Sequence, residues 1–142
     1  MHDDKITSVV GFDYGKKRIG IATGQTITHS ASPCKTLPQI DGNPDWLAIG
    51  DEILQWKPQA LILGIPYSTD GSDNKMTAAS RRFGEELKKR FKLPVIEVNE
   101  ALSSQQAEEI LKEKLKINQH NKHEIDRIAA AIIVQRWLNE QI

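Results

Sequence analysis

The hydrophobic positions of this chain follow a strand-like pattern first and a mixture of strand and helix patterns later. Residues 6–14 (Ile-Thr-Ser-Val-Val-Gly-Phe-Asp-Tyr) predict a strand that stops at Gly15, and residues 18–23 alternate with period two, predicting a second. Gly15-Lys16-Lys17 between them predicts a tight hairpin turn. A third strand is expected near 30–37, edge-like or irregular because of Pro33. Asp45 is suited to cap a helix running to about Trp56, where Lys57-Pro58 ends it. Residues 60–64 are a short continuous apolar run, the mark of a strand buried on both faces. A loop over 66–75 holds the turn signal Asp70-Gly71. Met76, Ala79, Phe83, Leu87 and Phe91 then predict an amphipathic helix over 76–91. Lys88, Lys89, Arg90 and Lys92 crowd its C-terminal end, where the helix dipole favours cations. Residues 94–98 predict another strand, and Ser103-Ser104-Gln105-Gln106 is a capping-box pattern opening a helix to about Lys114. After a polar stretch over 115–123, residues 124–138 predict a last helix, apolar nearly all round and therefore buried.

The order is β-β-β-α-β-α-β-α-α, which implies an α/β fold. The opening hairpin is antiparallel and the later crossovers favour parallel strands, so the five strands should form a mixed sheet covered by helices. The 142 residues suit one domain, 1–142, with 39% hydrophobic and 27% charged residues as in ordinary globular chains. No apolar run approaches the roughly 20 residues that span a bilayer, so no membrane partner is expected. The polar, acidic start Met1-His2-Asp3-Asp4-Lys5 does not read as a signal peptide. Cys34 is the only cysteine, so there is no internal disulfide and no zinc spacing, and a cytoplasmic location is expected. Trp46, Trp56 and Trp137 fit helix faces and read as core residues.

Three acids stand out. Asp13 lies in or at the end of the best strand, although aspartate is a poor strand former and an unpaired buried charge is costly. Glu100 follows the strand 94–98 directly, at the end of the strand where α/β sheets place ligand sites. Asp126 falls in the expected first turn of the buried last helix. Taken singly, each has a local reading: a turn cap, a solvated loop glutamate, an acid complementing the helix dipole. Taken together, they sit at the ends of elements that should pack on one sheet and can converge on a metal site. Mg2+ or Mn2+ suits such a set, because these ions prefer oxygen ligands. Two of them about 3.5–4 Å apart would serve a phosphodiester displacement. The chain carries 19 basic and 19 acidic residues, which argues against a grip on nucleic acid through bulk charge unless bound metals neutralise several carboxylates.

The run Gly11-Phe12-Asp13-Tyr14-Gly15-Lys16-Lys17-Arg18-Ile19-Gly20-Ile21-Ala22 resembles the opening signature of the YqgF/RuvX family. That family comprises pre-16S rRNA nucleases similar to Holliday junction resolvases. Leu63-Gly64-Ile65-Pro66, Asp70-Gly71-Ser72 and Arg82-Phe83 resemble its mid-chain pattern. Asn99-Glu100-Ala101-Leu102-Ser103-Ser104 resembles its Asp-Glu-Arg-Leu-Thr-Thr motif, and residues 126–135 its C-terminal helix. The resemblance implies an RNase H-like fold, a five-stranded mixed sheet with helices on both faces. It implies a metal-dependent nuclease with Asp13, Glu100 and Asp126 as catalytic, metal-holding acids. It also implies processing of the 5′ end of pre-16S rRNA in the cytoplasm, with RNA or a ribosomal particle as partner. Asn99 stands where the family has an acid and Ala101 where it has an arginine, which removes one phosphate contact.

Lys16, Lys17, Arg18, Arg81 and Arg82 are candidate phosphate contacts, Tyr67 a candidate stacking residue, and His123 a candidate helper three residues before Asp126. The plain alternatives for these residues are a solvated turn, surface charge on a helix, and a solvated histidine. Three other functions compete with the rRNA nuclease. One is a resolvase of branched DNA acting as a homodimer rather than a monomer; another is an RNA- or ribosome-binding module without catalysis. The third is a phosphotransferase of the actin-like kind, for which one domain is too little.

Overall fold

The computed structural model describes residues 5–100 and 122–141. The expected helix over 103–114, its capping box and Ala101 lie outside these residues. The described elements are β1 (Ser8–Tyr14), β2 (Arg18–Gln25), β3 (Ser30–Pro38), α1 (Trp46–Trp56), β4 (Ala60–Ile65), α2 (Lys75–Phe91), β5 (Val95–Asn99) and α3 (Lys122–Asn139). The strands form one mixed sheet in the order β3-β2-β1-β4-β5. β1, β2 and β3 pair antiparallel, whereas β4 runs parallel to both β1 and β5.

The period of two along each strand divides the core between the sheet's two faces. Val9, Ala60 and Ile62 pack with Ala130, Ile133, Val134 and Leu138 of α3. Val10, Phe12, Leu61, Leu63 and Ile65 pack on the other side with Ile49 of α1 and with Phe83 and Leu87 of α2. β4 is apolar throughout because helices cover it on both faces. Asp45 caps α1 by accepting from the Ala48 amide at 3.1 Å, and Lys57 closes it in the left-handed region with φ 48°. β3 is an edge strand, as Pro33 suggests. Pro33 lies opposite Ala22, and the register slips between Ile21 and Ala22.

Three expectations need correction. The α2 helix starts at Lys75, not Met76, because Asn74 caps it: its side chain accepts from the amides of Met76 at 2.9 Å and Thr77 at 3.0 Å. The Thr77 hydroxyl completes the box by accepting from the Asn74 amide at 3.0 Å. Trp56 is not a core residue; it is 37% exposed, with its indole N–H donating to Glu52 at 3.2 Å. Trp137 is buried and Trp46 stacks on Phe83, as expected of core aromatics. Finally, α3 includes Lys122 and His123, so Asp126 is not in its first turn; Glu124 is the acid there.

Candidate active site

Asp13 gains its orientation from the strand period. On β1, Val9, Gly11 and Asp13 face α3, whereas Val10, Phe12 and Tyr14 face α1 and α2. Asp13 therefore projects toward α3 at the C-terminal end of its strand. Its partner across the antiparallel pair is Gly20. A side chain at Gly20 would collide with the backbone carbonyl of Asp126, so the missing Cβ lets α3 rest on β2 at that residue. This contact sets Asp126 beside Asp13.

On the other side, Phe12 pairs with Leu63, which puts Gly64 of β4 next to Asp13. A Cβ at Gly64 would lie 2.7 Å from Glu100 Oε2 and would collide with Ile133. Glu100 is fastened to the end of β4 by its own amide, which donates to the Ile65 carbonyl at 3.1 Å. Arg136 of α3 donates to the Asn99 carbonyl at 2.5 Å just before it. Two glycines thus flank Asp13 across the sheet. One admits the helix that brings Asp126, and the other leaves room for the Glu100 carboxyl.

The electrostatics set these acids apart from the others. Burial pushes the Asp13 carboxyl up to about 6, against a hydrogen bond from Glu100 that lowers it, and the Asp126 charge adds to the rise. Burial and the neighbouring Asp13 push Glu100 up to about 8. The two carboxyls share a hydrogen bond, while Glu100 Oε2 is buried without a hydrogen-bond partner. Asp126 instead accepts from Arg18 Nε at 2.5 Å. Glu52 shows how the fold treats a buried acid with a structural role. Burial pushes its carboxyl up, but hydrogen bonds from Lys35, Cys34 and Trp56 outweigh that and hold it below the ordinary value, with Lys35 Nζ 2.8 Å away. No cation is supplied to Asp13 or Glu100 in this way among the described residues.

These donors suit a hard divalent cation. Carboxylate oxygens are its preferred ligands, and a buried oxygen without a partner beside a crowded second carboxyl is a group a cation would satisfy. Among the described residues, no three His, Cys, Asp or Glu side chains form a ready-made metal cluster, since Asp126 is turned to Arg18.

The expected substrate-side residues divide into two groups. Lys16 and Lys17 are exposed at the tip of the β1–β2 hairpin, at the same sheet end as Asp13. The hairpin closes through the Gly15 amide to the Arg18 carbonyl at 2.9 Å, and Gln39 Nε2 braces it by donating to the Gly15 carbonyl at 2.5 Å. His123 is exposed, one turn before Asp126, and its carbonyl accepts from the Thr36 hydroxyl at 2.5 Å. Arg81 and Tyr67 are engaged with each other and with acids. Arg81 donates to the Tyr67 hydroxyl at 2.8 Å and pairs with Asp73 at 2.9 Å and Glu97 at 3.8 Å. Arg82 is exposed on α2. Gly20 and Gly64 were not among the predicted site residues; the available signal was a glycine interrupting each of two strands, which marks a close approach.

Comparison with known proteins shows the family and the fold. Residues 7–140 match the family model RuvX, Holliday junction resolvase. A Legionella pneumophila protein named "Putative pre-16S rRNA nuclease" is 47% identical over 131 residues, covering 92% of this chain and 94% of its own. A Nitrosococcus oceani protein of the same name is 46% identical, covering 94% and 87%. Among solved structures, T. thermophilus RuvC in complex with Holliday junction substrate superposes with a TM-score of 0.56 at 17% identity, covering 95% of both chains. Fowlpox virus resolvase superposes with a TM-score of 0.59 at 12% identity, covering 96% of this chain and 99% of its own. At such identities these two establish the RNase H-like fold alone.

Proposed function

This chain belongs to the RuvX family, and from that premise we propose that its single domain is a metal-dependent nuclease that hydrolyses phosphodiester bonds during maturation of the 5′ end of pre-16S rRNA. The observation that carries the reading is the Asp13–Glu100 carboxyl pair at adjoining strand ends, half-buried, sharing a hydrogen bond and offered no cation by the described residues. Asp13, Glu100 and Asp126 would hold Mg2+ or Mn2+. Such an ion activates water and stabilises charge on a scissile phosphate. The chain's own part is to keep two carboxyls poised and partly desolvated at the sheet end and to present Lys16 and Lys17 to the nucleic-acid backbone. Arg18 pairs with Asp126 here, and a cation held by Asp126 would free the guanidinium for a phosphate. Ribosome maturation places the protein in the cytoplasm, and no described helix is long and apolar enough to cross a membrane.

The test is cleavage of a 5′-extended 16S precursor fragment, beside a four-way DNA junction, with Mg2+ or Mn2+, an EDTA control and D13N. Metal-dependent cutting of the RNA that D13N loses is the expected result. The family's description as a resolvase supports a second reading, hydrolysis of branched DNA; cutting of the junction alone would favour it, and a two-fold junction would then require a homodimer. Binding of the RNA without cutting would favour a non-catalytic module.

A further inference from the structure

On the face of the sheet opposite α3, a groove of about 240 Å³ opens between α2 and the loop that leads into α1. Tyr14, Trp46, Ala79, Arg82, Phe83 and Glu86 are among the residues that line it, and the Glu86 carboxylate is itself held by Arg90 at 3.1 Å. We propose that this groove takes one unpaired nucleotide of single-stranded RNA, its base against the aromatic wall and its phosphate on Arg82. The proposal rests on the nuclease reading for its choice of ligand.

Three observations support it. First, the wall is a rigid aromatic stack. The Phe83 ring lies 4.8 Å from Tyr14 at 30° and 5.5 Å from Trp46 at 23°, with Arg90 held 4.3 Å from the Trp46 centroid. Phe83 is buried between its two neighbours and Arg90 covers Trp46, so a base would meet Tyr14 and the ring edges of this wall, an apolar contact open to any base. The groove is smaller than the roughly 300–1,000 Å³ of sites for drug-sized ligands, which suits a single planar base. Second, within the described residues Arg82 shares only with Lys75, among the cations of α2, a charge without an ion pair, and of the two it is Arg82 that lines the groove. Arg81, Lys88, Lys89 and Arg90 of α2 each pair with a carboxylate, whereas Arg82 makes no ion pair among the described residues. An exposed guanidinium at the edge of an aromatic groove is matched to a phosphate. Third, Tyr14 directly follows Asp13 on β1, so the groove and the acid pair occupy opposite faces of the same strand end. RNA that rounds the end of β1 would bring a nucleotide flanking the one in the groove to the acids on the other face.

The experiment measures binding by fluorescence anisotropy of a labelled eight-nucleotide single-stranded RNA of mixed sequence. EDTA prevents cutting, and the wild type is compared with R82A and A79F over a salt series. Arg82 is exposed and its truncation spares the core; A79F fills the groove without altering charge, and circular dichroism checks its fold. R82A is expected to weaken binding about 5–10-fold and to lower the salt slope by about 0.7, one phosphate contact on a single strand. A79F is expected to weaken binding by a similar factor with the slope unchanged. Wild-type affinity in both variants, or no RNA binding by the wild type, overturns the proposal. Weakened binding by both variants alongside a wild type that cuts nothing with metal would keep the groove and discard the nuclease. Metal-dependent cutting with unchanged binding would do the reverse.

Discussion

Replacing Asp13 by asparagine should stabilise the metal-free protein at alkaline pH while abolishing cleavage. The folded state holds Asp13 at about 6 and Glu100 at about 8, against ordinary values of 3.8 and 4.5. Between pH 4 and 8 the folded protein therefore binds more protons than the unfolded chain, and its stability falls as pH rises. The contribution of the protonated pair is fully present below about pH 4 and is lost as pH rises through 6 and then 8. At roughly 1.4 kcal/mol for each pH unit between the two values, ionising Asp13 costs the fold about 3 kcal/mol. Asp13 is half-buried and an asparagine amide also pays for desolvation, so about 2 kcal/mol is the expected gain at pH 8.5. For a chain of this size that is a rise in melting temperature of about 4–8 °C. Thermal unfolding by circular dichroism in EDTA, at pH 5 and pH 8.5, measures it. The mutant should melt above the wild type at both values, by about half as much at pH 5 as at pH 8.5, because the difference builds up between about pH 4 and 6. An equal difference at both pH values, or a less stable mutant at pH 8.5, would refute the idea that burial penalises the charged Asp13 carboxyl in the folded state.

Other substitutions test the scaffold around the pair. Gly64→Ala drives a Cβ into Ile133 and toward Glu100 Oε2, so it should cost about 1–3 kcal/mol in denaturant unfolding and displace Glu100, with cleavage lost even where the fold persists. Gly50→Ala is the counterpart: its Cβ would meet Phe91 Cε1 at 3.5 Å, an ordinary contact, and a glycine removed from mid-helix should raise stability by about 0.5–1 kcal/mol. Arg18→Gln releases Asp126 from its 2.5 Å ion pair, so Mn2+ should bind a few-fold more tightly by titration calorimetry, in line with about 1 kcal/mol for a part-exposed pair. Unchanged or weaker metal binding would mean that Arg18 supports Asp126 instead of competing for it.

Most of the fold was legible because periodicity reports which faces are covered. The unbroken apolar run of β4 and the strict alternation of β2 predicted a strand buried on both faces and a paired hairpin partner, and each found its place. What failed was local. Asn74 was absorbed into a loop because its capping role appears only with the Thr77 hydroxyl turned back to it. Trp56 was assigned to the core from its place on a helix face, but the buried carboxylate of Glu52 draws its indole to the rim. Asp126 was read one turn too early because the polar stretch before it carries no period, although Lys122 and His123 are helical.

The site was legible in part for a different reason. Asp13 stands out in the sequence as a charge in a strand, where charge is costly, and Glu100 by its place at a strand end. Arg81 and Arg82 are adjacent on the chain and equivalent in composition, yet one is bound by Asp73 and Tyr67 and the other faces a groove; only tertiary contacts separate them. Gly20 and Gly64 carried the opposite kind of signal, an absence. A glycine in a strand weakens that strand slightly and by itself suggests a bulge or a kink. Its meaning here depends on register: Gly20 is the cross-strand partner of Asp13, and Gly64 is the next residue after the Phe12–Leu63 pair. Once that register is known, the two glycines become as diagnostic as the acids, because the missing side chains on either side of Asp13 let the last helix and the Glu100 carboxyl come close to it. The pattern that marks such a site is therefore a strand-end aspartate together with the glycines that clear the floor on either side of it.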